Sequence, residues 1–291
     1  MTNDRFDRQV RFFGREGQDR IAAASVAVAG VGGLGSHVVQ QLAHLGVGDV
    51  RPIDAQELDL TNRNRLVGAR ETDPIPGTRK VDISERTAKA IDDSIRIDKV
   101  FDSLVSADGF SAVIGADYVF GCFDSEGARL VLTELCAAYA KPYIDLSSDI
   151  LLDEPVEYGG QVCLAWDGDG CLSCMNVLDR TEAEAELAGP EERRRRNEIY
   201  GVDIELLDDV GPSVVSINGV IASLAVTEFI LAVTGQRAPH RLLTYNGRTG
   251  KVTMSSDEPL PGCYFCKGIR GKGDEADVQR YLREGVGKYL R

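Results

Sequence analysis

Four glycines, one acid, a run of cations and four cysteines are the residues whose types and spacing could do chemistry in this sequence. The stretch SVAVAGVGGLGSHVVQQLAHLGVGDVRPID, residues 25–54, sets Gly30, Gly32 and Gly35 at G-x-G-x-x-G spacing, with Gly33 as a further glycine. Glycines there allow a tight turn and a close approach of phosphate to the backbone. The helix that follows offers free amide donors and the positive end of its dipole. Asp54 ends the second apolar run, 19 positions after Gly35 (54 − 35), where a carboxylate can accept hydrogen bonds from ribose hydroxyls. Strand, helix and acid in register predict a nucleotide site. The plainer alternative is a glycine-rich turn used only for packing.

The glycine pattern does not separate a dinucleotide from ATP, but the next residues do. LTNRNRLVG, residues 60–68, carries Asn62, Arg63, Asn64 and Arg65, and GTRK brings Lys80 to the start of a helix. Hydride transfer needs an apolar nicotinamide slot. Phosphate transfer needs cations, because charge builds on the phosphoryl oxygens. VFGCFDSEGAR sets Asp124 just past the Asp117–Gly121 strand, at the strand end where open α/β sheets bind ligands. A carboxylate there suits Mg²⁺, a hard cation. Taken singly, Asp124 could be a helix N-cap, and Arg65 or Lys80 could serve surface salt bridges. Together they point to ATP and Mg²⁺.

Cys171-Leu-Ser-Cys174 and Cys263-Tyr-Phe-Cys266 are two C-x-x-C pairs, each able to fill two corners of a tetrahedral Zn²⁺ site. Four thiolates close the shell, so such a site is structural and would pin the C-terminal section to the sheet. Two redox pairs, or four unrelated thiols, are the alternatives. Cys122, Cys136 and Cys163 lie within apolar patterns and read as buried small hydrophobes.

These residues need a scaffold that brings strand ends together. Expected strands are 25–30, 49–54, 97–101, 117–121, 142–146 and 159–166, with helical patterns at 36–45, 80–94, 126–140 and a long apolar one at 214–233. Alternating strands and helices predict an α/β fold, a Rossmann-like, mostly parallel sheet flanked by helices. Residues 58–78 read as a functional loop. The charged stretch 179–209 reads as an exposed helical excursion or a mobile loop, and its Arg193–Arg196 as a solvated helix face with an anion site as the alternative. The 291 residues, 43% of them hydrophobic, suffice for a sizeable core, and the net charge of −13 argues against nucleic acid as a partner. The charged start is no signal peptide, and no apolar run is expected to reach membrane-spanning length, so a cytoplasmic protein is expected.

The order of RFDRQ (Arg5–Gln9), GVGGLGS (Gly30–Ser36), Asp54, TNRNR (Thr61–Arg65), G-x-x-K (Gly77–Lys80), Asp124 with Arg129 and the two C-x-x-C pairs resembles the ThiF/MoeB/HesA family and the adenylation domains of ubiquitin-activating enzymes. The resemblance covers nearly the whole chain. It implies a single adenylation domain over 1–291, with a nucleotide-binding half (1–150) and a substrate-binding and zinc half (151–291). It implies adenylation, with ATP·Mg, of the C-terminal carboxylate of a small ubiquitin-like or sulfur-carrier protein or a peptide. By position, the glycine loop would pass along the nucleotide and Asp54 would hold the ribose. Asn62, Arg65 and Lys80 would hold the triphosphate, within a nucleotide-binding set that includes Asn64, and Asp124 would hold Mg²⁺. Arg8 would reach across a homodimer into the partner's site.

Three departures stand out. Gln56 occupies the place of a frequent second acid, and Ser125 that of an asparagine. The approach to the long helix, residues 204–216, has no cysteine to take a thioester; Ser213 is its nearest hydroxyl and reads as a helix cap. A non-catalytic nucleotide-binding partner subunit and an NAD-dependent oxidoreductase are the rival readings.

Overall fold

Apolar runs bounded by glycine become the central strands of one sheet. The computed structural model describes residues 5–152, 154–188, 211–288 and 290. Its strands are β1 Ser25–Ala29, β2 Asp49–Ile53, β3 Arg96–Ile97, β4 Tyr118–Gly121, β5 Tyr143–Leu151, β6 Glu157–Ala165, β7 Leu242–Asn246 and β8 Lys251–Met254, in the order β3-β2-β1-β4-β5-β6-β7-β8. β1 to β5 are parallel, and β6, β7 and β8 continue the sheet antiparallel. The longer helices are α1 Asp7–Ala23, α2 Gly33–Leu45, α3 Lys80–Ile91, α4 Ala107–Ile114, α5 Glu126–Ala138, α6 Arg180–Ala188 and α7 Val215–Val233.

β1 is buried from Val26 to Ala29, as a parallel strand covered on both faces must be. On one face Val38 and Leu42 of α2 and Phe229 of α7 pack with Val28 and Ile144. On the other, Phe110 of α4 and Leu132 and Leu135 of α5 pack with Ala27 and Tyr143. Each such fully buried side chain contributes about 1.5–3 kcal/mol. Gly46 ends α2 in the left-handed conformation (φ 82°) and returns its N–H to Ala43 O. The chain runs from β1 outward to β2 and β3, then restarts at β4 on the other side of β1. That reversal opens a crevice at the carboxyl ends of β1 and β4, where such sheets bind ligands.

The expected parallel half is present, with shifted ends. β5 runs on to Leu151, and β3 shrinks to two residues plus a bridge from Ile53 to Val100. Strands β7 and β8 and helices α1 and α4 were not expected. The stretch 58–78 is a loop with one 3-10 turn, Leu60–Asn62. Of the charged stretch 179–209, α6 is described; Arg193–Arg196 lie outside the described residues. One expectation is corrected. α7 has 19 residues and a mean hydropathy of 1.8, long and apolar enough by length and composition to cross a membrane. Here it packs on α2, β5 and β6, and buries the polar Asn218 and Glu228.

Candidate active site

The glycines stand at the β1/β4 crevice, and the geometry requires three of them. Gly30 adopts φ 83°, and a Cβ there would lie 2.9 Å from Cys122 O at the end of β4. On Gly35 a Cβ would run into Gly30 O, and on Gly33 into Asn218 Nδ2, whereas Gly32 faces open space. The N-terminus of α2 has no side-chain cap. Its first amides are therefore donors without a side-chain acceptor, beside a glycine whose open face would admit a phosphate group. This cradle fits an anion.

Asp54 lies just past β2. Its carboxylate accepts the Val31 N–H (2.9 Å) from the glycine loop and the Gln56 N–H (2.8 Å). Burial pushes its carboxyl above the usual range; Lys80 opposes the shift and Asp124 adds to it, so both charges act on Asp54. Lys80 opens α3 and is 6% exposed. Its ammonium donates to Gln56 Oε1 at 2.5 Å, and among the described residues it has no carboxylate within ion-pair distance. A buried cation with one neutral acceptor is costly unless an anion arrives. Arg65 lays its stem beside Gly33, with Cδ 3.3 Å from the position of a Cβ there, and it too makes no ion pair among the described residues. It donates to Thr61 O (2.6 Å) and Asn64 Oδ1 (3.1 Å).

Asp124 is exposed and accepts no hydrogen bond among the described residues. The alternative of a helix cap is corrected: Ser125 caps α5, its Oγ accepting the Ala128 N–H. Ser125 Oγ and the Gly127 N–H both donate to Glu186 of α6 (2.5 and 2.7 Å). One turn on, buried Arg129 donates to Asp145 (2.6 Å) of β5, which also accepts from Tyr143 Oη (2.7 Å). Asp124 thus stands on a helix end fixed from two sides, with its own oxygens available to a hard cation.

Asn62, Asn64 and Arg8 are also expected at the site. The Asn62 side-chain Oδ1 accepts the Asp59 N–H (3.2 Å) in a capping box, and Asn64 Oδ1 accepts from Arg65. Arg8 is exposed near the start of α1, beside Gln9, which donates to Leu45 O at the C-terminal end of α2. The 13 residues of α2, roughly 20 Å, separate that end from the glycine loop. Ser213 is not the cap of α7, whose N-cap position is Val214 with no side-chain bond. Instead it accepts from Asn218 Nδ2 (3.2 Å), while Asn218 Oδ1 accepts from Ser148 of β5 (2.8 Å). Sequence reasoning passed over Asn218; the signal was an amide inside an otherwise apolar run.

The four cysteines meet. Cys171 and Cys174 follow β6, and Cys263 and Cys266 follow β8; their ligand atoms all lie within 4.8 Å of one another. Neighbouring Sγ atoms are 3.7 Å (171–174), 3.6 Å (171–263) and 3.8 Å (174–266) apart. A tetrahedron with Zn–S of 2.3 Å has edges of about 3.8 Å, so the donor set could hold zinc. Cys171 and Cys266 line one small cavity with Ala137 and Lys141, at the end of α5 remote from Asp124. The other thiols, Cys122, Cys136 and Cys163, are pushed up by burial.

Residues 6–265 match the ThiF family. The chain belongs to the ThiF family. Among its relatives are the heterocyst protein HesA of Trichormus variabilis, 27% identical over 267 residues (89% of this chain, 88% of that one), and the molybdopterin-synthase adenylyltransferase of Escherichia coli, 27% identical over 268 residues (90% and 95%). The expected class, ThiF-type adenylyltransferase, is the one that the second name carries. In fold the chain is similar to E. coli MccB in its crystal structure with ATP, at a TM-score of 0.69 and 20% identity, covering 91% of this chain and 75% of that one. MccB has also been crystallised with N-formylated MccA (TM-score 0.70). Gln56 and Ser125 are two of the three departures from the family pattern noted from the sequence. Each has a definite partner here, Lys80 and Glu186.

Proposed function

We propose that this ThiF-family protein is an ATP-dependent adenylyltransferase that activates the C-terminal carboxylate of a small carrier protein or peptide. The observation that carries the reading is the buried Lys80 ammonium with no carboxylate at ion-pair distance among the described residues, in the field of Asp54 on the strand next to the glycine loop. Hydride transfer itself makes no use of that cation, whereas a triphosphate, on which phosphoryl transfer builds charge, does.

In this reading Asp54 accepts from the ribose hydroxyls. The α2 amides, Lys80 and Arg65 neutralise the phosphate oxygens, which lowers the repulsion met by an incoming carboxylate. The carboxylate oxygen bonds to the α-phosphorus, the bond to the β-phosphate bridging oxygen breaks, and pyrophosphate leaves. Asp124 would hold Mg²⁺, which supplies further charge neutralisation when bound. The four cysteines would hold one structural Zn²⁺ and tie the segment after β8 to the sheet. Arg8 points the reading to a homodimer: it sits at the far end of α2 from its own glycine loop, so its use in adenylation requires a partner's site. With burial holding three thiols up and four directed to zinc, the reaction stops at the acyl-adenylate. Calorimetric titration with ATP·Mg and with NAD tests the nucleotide; tight NAD binding without ATP binding would sink the reading.

A further inference from the structure

Asp124 is exposed and makes no hydrogen bond among the described residues, so its carboxylate stands where the backbone carries it. That backbone is tied on both sides. Before Asp124, the Cys122 N–H donates to Ala29 O (2.8 Å) and joins the end of β4 to β1. After it, the next three residues are all held at α6. Ser125 Oγ and the Gly127 N–H donate to a single oxygen of Glu186, Oε2 (2.5 and 2.7 Å), and the Glu126 carboxylate accepts the N–H of Asp179, the residue before α6 (2.8 Å). Ser125 has one hydroxyl proton. With that proton on Glu186, its oxygen is turned to the Ala128 N–H (3.3 Å) and caps the helix. Glycine at 127 lets the carboxylate come this close: a Cβ there would lie 3.0 Å from Glu186 Oε2 and 2.8 Å from Leu290 Cδ2.

We infer that Glu186 is a positioning residue that sets the place of Asp124 for Mg²⁺. This rests on the ATP·Mg reading above. A carboxylate at the start of α5 suits the positive end of the helix dipole, and its two bonds fix the turn on which Asp124 stands. Mg²⁺ demands near-ideal geometry from its ligands, so a turn left loose by the loss of those bonds weakens the cation without touching it. Acting through Asp124, Glu186 matters to the nucleotide only when Mg²⁺ is present, and only while Asp124 is there to hold it.

The test measures ATP affinity by calorimetric titration in Mg²⁺ and in EDTA, with thermal melts to report folding. Wild type should bind more tightly in Mg²⁺, and Asp124→Ala should lose that gain. Glu186→Ala should lose about tenfold in Mg²⁺, the scale on which supporting contacts of a metal ligand act, and nothing in EDTA. Glu186→Gln offers its carbonyl oxygen to the same two donors without the charge, and should recover most of the loss. In the Asp124→Ala background, Glu186→Ala should change nothing further, because a residue that acts through Asp124 has nothing left to act on. A folded Glu186→Ala with wild-type affinity in Mg²⁺ overturns the proposal. So does an equal loss in EDTA, or an undiminished loss in the Asp124→Ala background. A Glu186→Gln as weak as Glu186→Ala also overturns it, since the charge and not the bonds would then be the cause. If Glu186→Ala does not fold, Glu186→Asp, which draws the carboxylate back by one methylene, decides: unchanged affinity in Mg²⁺ overturns the proposal. A wild type that binds ATP equally with and without Mg²⁺ overturns it too, whereas one that binds no ATP overturns the nucleotide reading itself.

Discussion

Replacing Lys80 by methionine separates a functional cation from a structural one, because the two roles predict opposite changes in stability. Lys80 is 6% exposed and its ammonium has one neutral partner, Gln56 Oε1. Methionine keeps most of the stem and its packing and removes the charge. A buried ammonium with no carboxylate at ion-pair distance costs several kcal/mol even after relaxation, of which the longer-range attraction of Asp54 returns only a part. Losing it should stabilise the ligand-free protein by about 1–2 kcal/mol, since Gln56 then forfeits one hydrogen bond of about 1 kcal/mol. At roughly 2 °C per kcal/mol for a chain of this size, the ligand-free Tm should rise by about 2–4 °C. Binding should move the other way. An ammonium about 4 Å from a phosphate oxygen is worth about 4 kcal/mol at an effective dielectric constant of 20, near a thousandfold in affinity. In differential scanning calorimetry, ATP·Mg at 100 times Kd raises wild-type stability by about 2.7 kcal/mol. The same nucleotide concentration should leave Lys80→Met unmoved. A ligand-free Tm that falls by several degrees would refute the reasoning, because it would mean that Lys80 supports the fold.

Four further outcomes follow from the same geometry. Asp124→Ala should abolish Mg-dependent turnover and change stability by less than about 0.5 kcal/mol, whereas Ser125→Ala should cost about 1 kcal/mol as a lost cap; equal melting losses would reverse the two roles. Burial raises the folded-state pKa of Asp54 above its unfolded value, so its contribution to stability is greatest below the unfolded pKa and is lost as pH rises through the folded one. Calorimetric unfolding across the acid range should therefore show Asp54→Asn gaining on wild type above that window, with ATP affinity of the wild type failing as Asp54 protonates on the acid side. Metal analysis of purified protein should give one zinc per chain, and Cys174→Ser should lower Tm; zinc well below stoichiometry would count against the cluster as a metal site. Arg8→Ala subunits mixed with Asp124→Ala subunits should regain activity through one complete site per mixed dimer, and no recovery on mixing would put Arg8 outside the reaction.

How far the sequence disclosed this arrangement depended on how local each signal was. The parallel half was legible because β1, β2 and β4 are apolar runs covered on both faces, and the intervening helices keep a 3.6-residue period. β7 and β8 were missed because both are short, β8 is exposed throughout, and β7 joins the sheet by pairing with β6, which is distant in sequence. α1 was missed because it buries only Phe13, Gly17, Gln18 and Ile21 and breaks helical geometry at Gly14. α7 was read to within one residue of its observed bounds, but its mean hydropathy was underread because Asn218 and Glu228 interrupt the apolar run. At the site, the glycines, Asp54, Lys80 and the cysteine pairs were readable because spacing alone implies their convergence. The cap at Ser125 in place of Asp124 was not, since either residue suits a helix N-terminus, and the bonds of Ser125 to Glu186, of Asn218 to Ser148 and of Lys80 to Gln56 were not, since each joins segments that the sequence keeps apart.

Exchange of labelled pyrophosphate into ATP tests the central claim most directly, because it needs a carboxylate that attacks the α-phosphate and an adenylate that reverses. The protein, with Mg²⁺ and a panel of small carrier proteins and peptides with free C-termini, should catalyse exchange with at least one of them. Exchange should stop when the terminal carboxylate is amidated and when Lys80 or Asp124 is replaced. Tight ATP binding with no exchange for any carrier or peptide would contradict the account and leave a nucleotide-binding partner subunit in its place.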